Sequence, residues 1–229
     1  MSKIIMSDEL PSICASVKDL GYEIIGTDSV KCFLPFERRH ADMQCLVIDN
    51  TVFVLQEAVN LINSLKENGI SYIMTERETD GKYPRNVLLN AVYLNGRLYC
   101  REDAADPAVK NYCATQGIKI INVNQGYAKC SVLLADKVFI TADKGIYDAM
   151  TRNGEEGLLI ESGDIDLKGV DYGFIGGCGF YDDGTLYLNG DISKHKSYLK
   201  IKEFLTKKDI KTVCLSENKL YDIGGFIVI

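Results

Sequence analysis

The chain has 229 residues, of which 46% are apolar and 25% charged, and its formal net charge is -6. These values suit a globular protein with a substantial core, and the acidic balance argues against nucleic acid as a partner, because phosphate binding needs a basic patch. No stretch approaches the roughly 18 consecutive apolar residues of a membrane-spanning helix, so no membrane partner is expected.

From the N-terminus, residues 3–6 are predicted as a strand, 8–20 as a helix capped by Gly21, and 22–25 as a second strand. The apolar run at this end is too short for a signal peptide. Residues 43–48 and 51–55 flank Asp49-Asn50 and read as a β-hairpin. Within 57–67, Ala58, Leu61, Ile62 and Leu65 follow at helical spacing; Asn68-Gly69 ends the helix, and 70–74 form a third strand. This β-β-α-β order recurs. The second copy runs through 87–94, an Asn95-Gly96 turn, 97–100, a helix over 107–115 and a strand over 118–123. The third has strands over 131–135 and 138–141, a short helix over 145–152 and a strand over 157–161. The fourth has strands over 177–181 and 185–188, a helix over 196–207 and a strand over 212–215. Its lysines, from Lys194 to Lys211, are expected on a solvated helix face, with His195 in solvent at the helix start. The fifth copy is split: residues 222–229 supply one strand and 3–25 supply the rest.

His40, Asn86, Tyr127, Phe174 and Asp222 mark the openings of these copies, at steps of 46, 41, 47 and 48 residues. A period of roughly 45 residues signals an array or propeller of supersecondary units. Closing it by pairing the N- and C-terminal strands removes the sheet edges that an open array leaves. No linker interrupts the pattern, so a single domain over 1–229 is expected. A closed ring brings equivalent places of different units together at its centre. His40, Asp42, Asn86 and Cys130 occupy such places.

The eight cysteines are scattered singly, without a Cys-x-x-Cys pair, and there is no His-x-x-x-His pair. That pattern weighs against zinc and against a disulfide framework. A reduced, cytoplasmic setting is expected, with most thiols acting as small buried apolar residues.

The layout resembles the pentein fold, the α/β-propeller of the guanidine-modifying enzymes. The residues that carry the resemblance are His40-Ala41-Asp42 before a strand, Pro84-Arg85-Asn86 opening the next hairpin, and Gly126-Tyr127-Ala128-Lys129-Cys130-Ser131 opening a later one. Their succession is similar to the His-x-Asp pair, Asn-led hairpin and reactive Cys of those enzymes, in a circularly permuted order. The chain also resembles an uncharacterised bacterial group of this fold with similar Gly-Tyr-Ala-Lys-Cys-Ser and Gly-Phe-Ile-Gly-Gly blocks. The resemblance implies an α/β fold: a ring of five β-β-α-β units with pseudo-fivefold symmetry. It also implies a small-molecule guanidine or amidine substrate, contacted by Asn86, Asp222 and Phe174. The chain departs from the enzymes' Glu-Gly-Gly-Asp block, because Ile223-Gly224-Gly225-Phe226 and Phe174-Ile175-Gly176-Gly177 stand in its place. Asp222 lies one residue from the expected acid and substitutes for it only if the strand start is irregular. An ordinary arginine-type deiminase is therefore not expected.

The chemistry fits these residue types. A guanidinium carbon is a poor electrophile and needs a strong nucleophile, a role for the Cys130 thiolate. His40 is placed to protonate the leaving amine and then activate water. Asp42 is a carboxylate for the substrate nitrogens. No zinc or organic cofactor is required. Cys178, which follows a double glycine, is a rival thiol. The alternative reading is a non-catalytic pentein, a binding module like the ribosome-binding translation initiation factor of this fold or a small-molecule binder, with an inert Cys130.

Overall fold

A computed structural model describes residues 2–229. In chain order the elements are β1 (Lys3–Met6), α1 (Pro11–Asp19), β2 (Glu23–Gly26), α2 (Ala41–Gln44), β3 (Cys45–Ile48), β4 (Thr51–Val54), α3 (Val59–Glu67) and β5 (Tyr72–Met74). Next come β6 (Val92–Leu94), β7 (Arg97–Cys100), α4 (Pro107–Gln116), β8 (Lys119–Asn122), α5 (Ala128–Ser131), β9 (Val132–Ala135), β10 (Val138–Thr141), α6 (Lys144–Arg152) and β11 (Glu156–Leu159). The chain finishes with β12 (Ile165–Asp166), a 3-10 turn (Ile175–Cys178), β13 (Gly179–Asp182), β14 (Thr185–Leu188), α7 (Tyr198–Thr206), β15 (Lys211–Cys214), β16 (Leu220–Tyr221) and β17 (Phe226–Val228).

The described residues form five three-stranded sheets and one two-stranded pair, and no sheet closes on itself. Four of the three-stranded sheets share one plan: an antiparallel hairpin, a crossover helix and a parallel third strand, as in β3-β4-β5 and β13-β14-β15. The fifth sheet, β17-β1-β2, reaches the same plan from both chain ends. Ile4 pairs with Val228 and Met6 with Phe226 across the antiparallel pair, while β2 runs parallel to β1.

Local chemistry accounts for the hairpins. Each of the four has a two-residue loop whose first residue, Asp49, Asn95, Asp136 or Asp183, takes a left-handed φ of 41° to 55°. Asp and Asn tolerate that conformation better than other side chains with a Cβ. Helix α4 begins at Pro107, with the Asp106 carboxylate accepting from Ala108 N–H, and ends at a left-handed Gly117. Asp143 caps α6 in the same way.

The expectation fails at the openings of the units. Residues 41–44, 128–131 and 175–178 each form one helical turn ahead of the strand, rather than its first residues. Ala41-Asp42-Met43-Gln44 and Ala128-Lys129-Cys130-Ser131 contain no β-branched or aromatic side chain, so strand propensity rises only beyond them. In the second copy, 87–91 is irregular and the strand starts at Val92. His195 is also corrected. It is buried, its Nδ1 accepts from Ser197 N–H ahead of α7, and its Nε2 has no partner.

The largest apolar cluster joins β3, β4, α3, residues 87–91, β7 and α4, and reaches Met43 and Cys130. The first strands of neighbouring sheets meet, β13 packing against both β9 and β17. No helix is long and apolar enough to cross a membrane.

Candidate active site

Three helical turns and one irregular bend deliver the candidate residues. A cavity of about 350 Å³ is lined by His40, Cys130, Asp222, Glu37, Tyr127 and Phe174, with Asp171 and further apolar side chains at its rim. A larger groove of about 610 Å³, over Arg101, Asp103 and Lys110, has neither thiol nor imidazole. Chemistry, rather than size, therefore selects the smaller one.

Cys130 lies in α5 and is 3% exposed. Its Sγ accepts from Asn90 Nδ2 at 3.0 Å. The same amide nitrogen donates to the Asp42 carbonyl at 3.0 Å and approaches Met43 Sδ at 3.3 Å. Asn90 Oδ1 in turn accepts from the backbone N–H groups of Lys129, at 2.7 Å, and Cys130, at 3.3 Å. Asn90 thus ties three units together around the sulfur. Burial, then the charges of Asp42 and Asp222, push the thiol well above its ordinary range, and the Asn90 donor opposes them.

His40 is 6% exposed, with Nδ1 3.9 Å from Asp42 Oδ1 and 4.0 Å from Asp222 Oδ1. An imidazolium there sits between two carboxylates. A Cβ added at Gly224, whose φ is +78°, would land on the His40 side chain, so only glycine lets that backbone pack against the imidazole. Asp222 is anchored: Oδ2 accepts from Phe174 N–H at 2.8 Å and Oδ1 from Gly224 N–H at 2.9 Å. The stretch between β16 and β17 is irregular, with left-handed φ at Gly224 and Gly225. That irregularity turns Asp222 into the cavity.

Asp42 stands behind the cavity wall. It is 1% exposed, and neither carboxylate oxygen has a hydrogen-bond partner. Burial and Asp222 raise its pKa to about 7, against the pull of His40. The Cys130 thiol biases it too, but from beyond a formed hydrogen bond. Asn86 does not line the cavity; its Nδ2 donates to the Tyr127 hydroxyl at 2.6 Å. Tyr127 stacks between Tyr83 and Phe174, with centroids 6.1 and 6.3 Å away. Cys178 faces elsewhere, its thiol donating to the Phe174 carbonyl within an apolar cluster. No hydrogen bond joins Cys130 to His40, although both face the cavity.

Asn90 and Glu37 are the residues that the motifs miss. Asn90 stands two residues before the first strand of its unit, as Met43 and Cys130 do before β3 and β9. Counting back from strand starts finds it, whereas counting from motif to motif selects Asn86. Glu37, three residues before His40, is buried and held with a raised pKa by that burial. Among the described residues, no group of three His, Cys, Asp or Glu side chains is gathered to hold a metal ion.

The fold is similar to several solved structures. DDAH from Pseudomonas aeruginosa, a mutant complexed with citrulline, matches at 8% identity and TM-score 0.53, over 94% of this chain and 91% of that one. C. jejuni agmatine deiminase with substrate bound matches at 11% identity and TM-score 0.56, over 99% and 92%. Inosamine-phosphate amidinotransferase from Streptomyces griseus matches at 11% identity and TM-score 0.54, over 95% and 76%. No curated protein sequence matches this chain. These likenesses show a mixed α/β fold shared with those pentein structures, and the chain belongs to the family of unknown function (DUF6873), whose model matches residues 5–227.

Proposed function

We propose that this chain is a cysteine-dependent hydrolase of a guanidine or amidine C–N bond, acting as one domain in which five units circle a common axis. One observation carries the reading: Cys130, His40 and Asp222 line a single cavity although they come from segments far apart in sequence. Cys130 passes its thiol proton to His40 across the cavity as Sγ attacks the amidine carbon. His40 protonates the departing amine as its C–N bond breaks, leaving a covalent thiouronium-type adduct. Water, deprotonated by His40, then attacks the same carbon, and the C–S bond breaks to return the thiol. Asp222 and Glu37 face the cavity as acceptors for the substrate cation, while Asp42 acts through His40 and Cys130. A bound cation offsets the two carboxylates that hold the thiol up, so substrate itself favours the thiolate.

The substrate is expected to lack a carboxylate. Three acids, Glu37, Asp171 and Asp222, line the cavity, and no Lys or Arg does. Arginine is a poor fit because nothing pairs its carboxylate, rather than because acids for its guanidinium are missing. The competing reading, a non-catalytic binding module, draws on the raised thiol pKa and on the lack of a Cys130–His40 hydrogen bond.

Cationic 2-chloroacetamidine and neutral 2-chloroacetamide separate the two readings when labelling is followed by mass spectrometry at pH 7. The hydrolase reading expects Cys130 to react faster with the amidine by roughly tenfold or more. It also expects ammonia or amine release from a panel of alkylguanidines, abolished by Cys130→Ala and retained by Cys178→Ala. Equal, slow labelling together with silence across the panel would leave the binding module.

A further inference from the structure

Lys129 and Cys130 are neighbours in α5, yet they serve different cavities. A second cavity of about 220 Å³ is lined by Lys129, and Cys130 is not part of its wall. One strand from each of the five three-stranded sheets, β3, β6, β9, β13 and β17, supplies that wall. Cys45, Ala91, Leu134, Phe180 and Phe226 are typical of the lining, and Lys129 is its only charged residue.

The ammonium has no partner. Among the described residues the Lys129 side chain makes no ion pair and no hydrogen bond; only its backbone is engaged, the N–H donating to Asn90 Oδ1 and the carbonyl accepting from Val132 N–H. Asp42 attracts it from beyond ion-pair reach, and burial lowers its pKa. A half-buried cation facing an apolar wall without a counter-charge is costly, and such groups gather where a ligand completes them. The other polar groups of the wall are engaged: the Tyr93 hydroxyl donates to Asp49 at 2.6 Å and the Tyr181 hydroxyl accepts from Gly184 N–H at 3.1 Å. One cation and an apolar wall suit a singly charged head on a hydrocarbon body. A phosphate would call for several converging donors.

We propose that this cavity binds a small apolar carboxylate, whose head pairs with Lys129 Nζ and whose body fills the space between the five strands. The volume equals the share of roughly seven liquid waters, the scale of hexanoate or benzoate. The acidic Cys130 cavity repels the same ligand, so the two sites take opposite charges.

Isothermal titration calorimetry of the full chain with hexanoate and benzoate, against 1-hexanol and benzyl alcohol, tests the proposal. Saturable 1:1 binding of the acids is expected, with the alcohols weaker by roughly tenfold or more. Lys129→Met is expected to remove that preference. In case the variant perturbs the fold, NMR of the wild-type Lys129 side chain gives a second reading: bound hexanoate should raise its pKa by about one unit. Equal affinity for acid and alcohol overturns the proposal, as does acid binding that Lys129→Met leaves unchanged. So does a lack of binding to the wild-type chain, or a Lys129 pKa that bound acid does not move.

Discussion

Asp42 and Asn90 show what single residues do at the centre of the molecule. Asp42 titrates at about 7 in the fold, because burial and Asp222 disfavour its charge, whereas an unfolded carboxyl titrates at roughly 3.9. Its neutral form is therefore favoured by folding. That stabilisation is full below about pH 4 and is lost as the pH rises through about 7. Asp42→Asn keeps the shape without the charge. The variant is expected to melt higher than wild type at pH 8, by roughly 2–4 °C for each kcal/mol of relief, and to show no such gain at pH 4. Thermal melts at the two pH values check this; a gain of equal size at both would assign it to packing. Asn90→Ala has the opposite sense. It strips the donor from Cys130 Sγ and the acceptor from Lys129 N–H, so a loss of about 1–3 kcal/mol is expected in urea unfolding. Alkylation of Cys130 should then require a higher pH, since a hydrogen-bond donor that lowers the thiol pKa is gone.

Short elements, rather than long ones, position the site. The helical turns α2 and α5 hold His40, Asp42 and Cys130 at the mouths of strands, and the glycine bend before β17 packs against the imidazole. Gly224 and Gly96 both have positive φ, 78° and 74°, but a Cβ at Gly96 meets nothing within 4 Å. Alanine at either is expected to cost about 1–2 kcal/mol of backbone strain. Only Gly224→Ala should also displace His40 and lower turnover or chloroacetamidine labelling. Parallel melts and labelling rates separate strain from displacement, and equal labelling in both variants would remove Gly224 from the site. Helix caps offer another comparison. Asp106 is fully buried and accepts from Ala108, Glu76 and Arg77 N–H groups at 2.9 to 3.0 Å. Asp106→Ala is therefore expected to cost about 2–3 kcal/mol in urea unfolding, above the roughly 1 kcal/mol of a simple cap.

At the scale of the molecule, β1 is the element on which both chain ends depend. It lies between β17 and β2, and Ile4, Ile5 and Met6 are fully buried. Removing residues 226–229 takes away its antiparallel partner and opens the apolar cluster that includes Phe180 and Phe226. The truncated chain is expected to lose its cooperative thermal transition or to melt far below the full chain, as followed by circular dichroism. An unchanged melt would mean that β17 is dispensable to the core.

The hairpins, the crossover helices and the pairing of residues 3–6 with the last strand were legible in the amino-acid order. The hairpins and helices rest on local signals, Asp or Asn at a left-handed turn position and apolar residues at helical spacing, and the terminal pairing rests on the repeat whose fifth copy is split between the chain ends. His40 and Cys130 were legible too, because their motifs lie within a few residues. Asn90, Glu37 and the separate cavity of Lys129 depended on the tertiary structure. Each arises from segments brought together across several units, and the offset that places Asn90 on the Cys130 sulfur is set by where β6 begins. Tertiary packing chose that start, since 87–94 is nearly continuously apolar and a strand's local preference does not locate its first residue. Burial decided the rest. It raises Asp42 to about 7 and pushes the Cys130 thiol well above its ordinary range, because the surrounding units exclude water from charges that the sequence alone leaves in solvent.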